Sequence, residues 1–430
     1  MIRWSPALLM LLLIAGATLR PAPLTAVPLP MFCLVCGDLG GVDVTLNVIL
    51  FLPMGAALVW AGLSWRRAAL ACALISLGIE SLQFSVISGR DSSISDLLTN
   101  SVGGMLGAVI LHRWHTVVFP TPAMARRLCA AATALPLAVM ATTAALLQPS
   151  TPNMGLWGQW APVQPQFEPF TGRVHDFHVN GFHVPYNLVP EHEALRQSLL
   201  AGPRLARAEI TTGAPSSRLA AIARVGSSVQ EIMMFGQRGV DFVFRTRLAV
   251  RDWRLRTPAV AIPNAFPQAG IAVSLEGGLT RQGWIAAVQS PLGDLRLAVP
   301  FSVALGWSFF LPFDHPIDES DWWISGLWLA AMSAPATYWG AMVRRSGAGR
   351  GLPDLRWSAA ASATLLVGLA LTTVAAGFAL PVASEWIGVA AGNALGVAAA
   401  ALTLTFADRR PSGGGLGRLK LLCRPERPIR

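Results

Sequence analysis

The sequence predicts an α-helical polytopic membrane protein with an inserted all-β domain of sandwich or jelly-roll type. Three observations carry this expectation. Of 430 residues, 53% are hydrophobic and only 13% charged, against roughly 25% charged in an ordinary soluble domain. Apolar stretches long enough to cross a bilayer recur in both ends of the chain. Between them lie about 170 residues more charged than the rest, with frequent Gly and Pro and the two-residue alternation of β-strands.

The apolar stretches fall at 4–19, 44–63, 68–86, 97–111, 128–147, 322–343, 358–380 and 386–407, each near the roughly 20 residues of a spanning helix. About eight spans result. Arg66 and Arg67, then Arg113, Arg126 and Arg127, then Arg344, Arg345, Arg350 and Arg356, and finally the arginines of 409–430 occupy alternate loops. The positive-inside bias assigns those loops to the cytoplasm. The expectation is a bacterial inner (cytoplasmic) membrane protein, multi-pass, with both termini cytoplasmic and residues 149–321 extracytoplasmic. Segment 4–19 could be a signal peptide, but no clean small-residue cleavage site follows it, which favours an uncleaved anchor. Counting 297–313 as a span would move Arg344 and Arg345 to the wrong side. That run is therefore expected to be the last strand of the insert, with Val303, Leu305, Trp307 and Phe309 alternating. The expected domains are a four-helix module at 1–112, a cytoplasmic loop and fifth helix at 113–148, a β-sandwich at 149–321, three helices at 322–407 and a basic tail at 408–430.

The net charge of +10 has a location. Residues 151–321 hold 14 arginines and 14 acids, so the whole surplus lies among the apolar segments. That is a membrane pattern, and membrane lipids are the implied partners. No basic helix or aromatic-interleaved patch points to nucleic acid.

In the insert, strands are expected at 173–180, 219–225, 229–235, 240–247, 271–275 and 283–289. Gly226-Ser227-Ser228 and Glu276-Gly277-Gly278 read as turns, and a helix is expected near 191–200. The run Phe170-Thr171-Gly172-Arg173-Val174-His175-Asp176-Phe177-His178-Val179-Asn180-Gly181, with the strand Phe242 to Arg247 downstream, resembles the laminin-G and concanavalin A-like sandwiches. The resemblance implies glycan recognition. No closely spaced Glu/Asp/Glu strand accompanies it, so cleavage is not indicated. His175, His178, His183 and Asp176 are metal-ligand types, yet strand alternation sends His175 and His178 to opposite faces, and neither metal nor cofactor is expected. His192-Glu193 lacks a second histidine, since Arg196 stands there. Arg245, Arg247, Arg251, Arg254 and Arg256 surround Trp253. Forked hydrogen bonds from them could hold a phosphate, an anionic headgroup or a uronic acid, or the arginines could be solvated strand faces. Arg245, Arg247 and Trp253 are the glycan or anion candidates.

The first membrane module is unusually polar. Asp43 with Asn47, Glu80 with Gln83, and Asp96 with Asn100 each share a helix face, and Arg90-Asp91 lies between the last two pairs. An ionisable residue inside a span is expensive unless paired, so Glu80 becomes a functional candidate with Arg90 as its counter-ion. A polar clamp that fastens three helices is the alternative. Gly103, Gly104 and Gly107 add a small-residue packing face. The runs Asp43-Val-Thr-Leu-Asn47, Phe51-Leu-Pro53-Met-Gly55, Ser76-Leu-Gly-Ile-Glu80-Ser-Leu-Gln83 and Arg90-Asp91-Ser-Ser-Ile-Ser-Asp96-Leu-Leu-Thr-Asn100-Ser-Val-Gly103-Gly104 resemble the VanZ-like membrane family over about residues 1–112. The resemblance implies an integral protein of the cell envelope, in a family named for a protein associated with low-level glycopeptide resistance. Glu385, Gly392 and Gly396 repeat the spacing of Asp96, Gly103 and Gly107, with Val389 in place of Asn100.

Cys33 and Cys36 flank two residues of the first outer loop, where a disulfide, free thiols, or redox or metal use are all open. No P-loop, dinucleotide fingerprint or nucleophile elbow is present. Binding is thus favoured over catalysis. The expected ligand is an envelope glycan or lipid-linked saccharide, held by the insert and by an outer-leaflet polar pocket of Asp43, Asn47, Glu80, Gln83, Arg90, Asp91, Asp96 and Asn100. The alternatives are a membrane enzyme acting on a lipid-linked envelope substrate and a scaffold for another envelope protein.

Overall fold

The structure, a computed structural model, describes residues 2–21, 34–35, 37–87, 92–227, 230–318, 321–343 and 355–408. Helices α1 (Ser5–Thr18), α2 (Gly40–Trp60), α3 (Trp65–Ser85), α4 (Ile94–His112), α5 (Trp114–Val118) and α6 (Pro122–Leu146) precede the insert. Helices α8 (Trp322–Ala341), α9 (Leu355–Ala375) and α10 (Ala383–Asp408) follow it, and α7 (His192–Ala201) lies within it. Six of these, α2, α3, α4, α6, α9 and α10, are long and apolar enough to cross a membrane. About eight were expected. Helix α1 has only 14 residues, and α8, with Trp, Ser, Thr and Tyr along its 20 residues, is not among the six.

Two compact units are present. One comprises Met1–Thr133, Ser333–Ser362 and Gly392–Arg430; the other comprises Ala134–Met332 and Ala363–Ala391. In the first unit, glycines set the helix crossings. A Cβ on Gly55 would overlap the carbonyl of Gly104, one on Gly103 the carbonyl of Val48, and one on Gly107 that of Leu52. Helices α2 and α4 therefore pack backbone to backbone, as small residues allow in lipid where no hydrophobic force draws helices together. Elsewhere in this unit a Cβ on Gly396 would strike the Ala334 carbonyl. The Thr337 hydroxyl donates to the Asn393 carbonyl at 3.0 Å, and Ser358 donates to the Thr337 carbonyl at 2.8 Å.

Among the described residues the second unit holds twelve strands: β1 (Trp157–Trp160), β2 (Arg173–Val179), β3 (Phe182–His183), β4 (Asn187–Leu188), β5 (Arg204–Thr211), β6 (Ser216–Gly226), β7 (Glu231–Gly239), β8 (Asp241–Thr246), β9 (Ala259–Ile262), β10 (Ala272–Thr280), β11 (Gly283–Ser290) and β12 (Gly293–Pro300). They form two six-stranded antiparallel sheets, ordered β4-β1-β6-β7-β8-β9 and β12-β11-β10-β5-β2-β3. Alternate residues of both sheets meet in one core, among them Phe177, Ala208, Leu275 and Trp284 from one and Ile222, Met233, Phe235 and Phe244 from the other. Phe235 stands edge-on to Phe177, Phe242 and Phe244 at 5.2–5.8 Å, a favoured aromatic geometry. The insert is a β-sandwich, with Leu195 and Leu199 of α7 buried in its core.

Two expectations need correction. Glu276-Gly277-Gly278 is no turn but the middle of β10, paired with β5 and β11 along its length. Gly277 is required there because a Cβ would press on the rings of Phe235 and Phe244. The run 297–313 is not one strand either. It ends β12 and then winds into a 3-10 helix, Val303–Phe310, whose residues 303–309 are all buried. Large residues alternate with small ones at 303–309, but the small ones are buried as well, so the alternation does not tell a strand from a buried helix.

Candidate functional site

The polar residues of the helical module converge on the start of α4. Ser93 is its N-cap, accepting the Asp96 N–H at 3.1 Å. Glu80 reaches across from α3 and accepts the Ser93 N–H at 2.8 Å. Asn47 of α2 donates to Asp96 Oδ1 at 2.7 Å, and Asn100 donates to the Ser76 hydroxyl at 3.0 Å. Gln83 donates to the Thr18 carbonyl at 2.9 Å, and the Ser95 hydroxyl to the Leu34 carbonyl at 2.6 Å. Ser76, Glu80, Gln83 and Asn100 are all buried. The cluster thus brings together Asn47, Glu80, Gln83, Asp96 and Asn100, adds Ser76, Ser93 and Ser95, and leaves Asp43 exposed in the first turn of α2. Arg90, Asp91, Cys33 and Cys36 lie outside the described residues. Sequence pattern could have found Ser93, since Ser-x-x-Asp is a helix-start signal.

A carboxylate at a helix N-terminus meets unpaired N–H groups and the positive end of the helix dipole. Glu80 is therefore placed to fasten α3 to α4, while Asn47 ties α2 to the same turn. Two acceptors, Gln83 Oε1 and Asn100 Oδ1, are buried without a hydrogen-bond partner among the described residues.

The outer face of the second sheet holds a different arrangement. A β-bulge between Val174 and Asp176 interrupts β2, so Val174, Phe177 and Val179 are buried while His175, Asp176 and His178 all face outward. The expected separation of His175 and His178 onto opposite faces does not occur. His175 Nε2 lies 2.8 Å from the Thr211 hydroxyl, whereas Asp176 sits 3.3 Å from His178 Nδ1 and 3.4 Å from His183 Nε2. Among the described residues no group of three or more His, Cys, Asp and Glu is arranged to hold a metal ion.

Beside this trio a cleft of about 450 Å³ opens over β2, β5, β10 and β11, within the range of small-ligand sites. Its walls carry Arg207, His178, Asn180 and Glu276, and its floor Leu205, Ile285 and the side-chain-free Gly277. Register explains the grouping. Arg207 of β5 is cross-strand neighbour to both His178 and Glu276, and Gly278 lies between Leu205 and Ile285. The Arg207 guanidinium lies 3.1 Å from Glu209 and 3.9 Å from Glu276. Sequence reasoning missed Arg207 and Glu276, because only the register brings them to one place.

The expected anion candidates separate. Arg247 is buried and paired with Asp252, and Arg245 shares Asp314 with Arg238 and Arg256. Trp253 is 70% exposed. Arg204, which starts β5, is fully buried and donates to the carbonyls of Leu199, Ser150 and Arg247 and to the Thr151 hydroxyl at 2.6–3.3 Å. Burial, with Arg247 nearby, pushes its guanidinium down to about 10.

Residues 12–115 match the VanZ/LLP1 family model. This segment is VanZ-like. The VanZ-like segment takes in α2, α3 and α4 whole and with them the entire Glu80–Ser93 cluster. No curated protein and no solved structure matches the chain.

Proposed function

We propose that this multi-pass, VanZ-like membrane protein binds an envelope glycan, or the saccharide of a lipid-linked glycan, in the cleft on the outer face of the β10-β5-β2 sheet. The observation that supports this is the combination of Arg207, Glu276, His178 and Asn180 with the apolar floor of Leu205 and Ile285. A sugar ring presents hydroxyls at its rim and C–H groups on its faces, and such a cleft offers both donors and acceptors around an apolar patch. In this proposal the sandwich lies outside the bacterial inner membrane with both termini inside, in keeping with the arginine-rich alternate loops. The test is binding of the full chain in detergent to a panel of envelope glycans. Saturable binding to one glycan, lost in both Arg207→Ala and Glu276→Gln, is expected. Binding that both variants retain, or a well-folded chain that binds no glycan, overturns the proposal.

The polar cluster of the VanZ-like segment is proposed to act as a clamp. A headgroup pocket at the same place is favoured only by Gln83 Oε1 and Asn100 Oδ1, acceptors with no partner among the described residues. Isosteric Glu80→Gln separates the two: loss of ligand binding at normal folded yield indicates a pocket, and loss of folded yield alone indicates a clamp.

A further inference from the structure

Three arginines converge on one carboxylate beside β7, β8 and β9. Arg238 of β7, Arg245 of β8 and Arg256 in the segment before β9 all pair with Asp314, with Arg256 Nη1 at 3.7 Å from Oδ1. Among the described residues Asp314 is the one carboxylate in ion-pair range of any of the three, so the group carries an excess of positive charge. Each guanidinium has five N–H donors. Against these, among the described residues the three side chains make four hydrogen bonds to protein acceptors, two from Arg238, one from Arg245 to Asp314 and one from Arg256 to the Leu311 carbonyl. Most of their donors have no protein acceptor among the described residues. Arg238, Arg245 and Asp314 keep about a quarter to a third of their side-chain surface open. The ordinary basicity of Arg256 is lowered by burial, and Arg245, Arg251 and Arg238 push in the same direction against Asp314.

The surroundings say what kind of anion fits. The chain on either side of the cluster is tied to helix ends. Gln148, just past α6, accepts the Ala249 N–H at 2.8 Å, and Ser150 bonds Asp252 at 3.0 Å, beside Trp253. On the other side, His315 and the Asp318 N–H bond Asp321, which directly precedes α8, at 3.1 Å. Trp253, Phe313, Trp322 and Trp323 are all exposed along these connections. Exposed Trp and Phe beside the end of an apolar helix are the pattern of a membrane–water interface, and arginines at that level meet phosphate oxygens.

We propose that Arg238, Arg245 and Arg256 form a binding site for the phosphate of an anionic lipid headgroup, with Asp314 holding the three guanidiniums in place until the phosphate joins them. The site is separate from the saccharide cleft and stands whether or not that cleft binds sugar. Planar guanidinium forks match the oxygens of a phosphate, and three of them around one point exceed what a single carboxylate neutralises.

The experiment is native mass spectrometry of the full chain in a non-ionic detergent, titrated with phosphatidylglycerol and, separately, phosphatidylcholine. Phosphatidylglycerol is expected to bind about tenfold tighter than phosphatidylcholine. Arg245→Gln and Arg238→Gln should each weaken it about tenfold, the size of one charge-assisted hydrogen bond. Asp314→Asn should tighten it about threefold by removing the competing charge. If Arg245→Gln lowers folded yield, Arg245→Lys carries the test, since it keeps the charge but loses the fork. Equal affinity for the two lipids, or undiminished binding by folded Arg245 and Arg238 variants, overturns the proposal. Displacement of phosphatidylglycerol by an equal concentration of inorganic phosphate also overturns it, because the ligand is then free phosphate.

Discussion

The Glu80 carboxylate accepts the backbone N–H of Ser93 at 2.8 Å, so an acid buried on α3 completes the N-terminus of α4. The bond is local to neither helix: it exists only when the two are docked. Its removal is therefore expected to act on docking. Glu80→Ala leaves the Ser93 N–H buried and unpaired and should lower stability by about 1–3 kcal/mol. Glu80→Gln keeps an acceptor and should lower it less. Thermal unfolding in detergent, read by circular dichroism, distinguishes the two, and equal midpoints for both variants and the parent would remove the clamp.

Neighbouring glycines of β10 should respond in opposite ways. Gly277→Ala pushes a methyl into the Phe235 and Phe244 rings inside the core and should cost about 1–3 kcal/mol. Gly278→Ala meets only the flexible ends of Leu205 and Ile285 beside the cleft, so the fold should survive while glycan binding falls. Unfolding midpoints and glycan titrations of the pair check this. Equal stability would mean that the two sheets are not packed as described.

Arg204 is a buried cation that satisfies three carbonyls and a hydroxyl, with no carboxylate partner among the described residues. Arg204→Met fills much of the same space but strands those acceptors. The expected loss is on the order of 3 kcal/mol, measured as the shift in urea midpoint of the sandwich signal.

Glu168 accepts the Arg218 N–H at 2.7 Å and the Ser217 hydroxyl at 2.9 Å, which holds its carboxyl below the usual carboxylate range. A depressed acid stabilises the folded chain above its unfolded value and loses that contribution as pH falls through the folded value. Local protection of the Arg218 amide in hydrogen exchange should thus fall on acidification below about pH 4.5. Glu168→Gln should make it flat over that range; an unchanged pH dependence in the variant would point to another group.

Some of this was legible in the sequence, for a physical reason. Hydropathy is a property of single residues summed along the chain, so α2, α3, α4, α6, α9 and α10 fall on the apolar stretches that predict them. Helical spacing likewise paired Glu80 with Gln83 and Asp96 with Asn100 on shared faces. What spacing does not contain is the partner. Glu80 bonds a backbone N–H, and no residue type announces that. The sandwich was harder because its reasons are distant in the chain. Gly277 reads as a turn residue from its neighbours, while its cause is two phenylalanines on β7 and β8. His175 was sent to the wrong face by regular alternation, which one extra residue at a bulge reverses. Arg207 and Glu276 join only through the register of β5 with β10.

The glycine crossing of α2 and α4 has a counterpart further along the chain. Gly107 rests on Leu52 as Gly396 rests on Ala334, and Gly55 touches Gly104 where Thr337 donates to Asn393. Adding 282 to the two positions on α2 and 289 to the two on α4 yields the four positions on α8 and α10. The same kind of interlock thus recurs at matching spacings, with a Thr337–Asn393 hydrogen bond in the second place where the first has bare backbone. A bulky residue at Gly396 should accordingly phenocopy one at Gly107, the pair that the shared spacing of Asp96, Gly103 and Gly107 with Glu385, Gly392 and Gly396 already aligns.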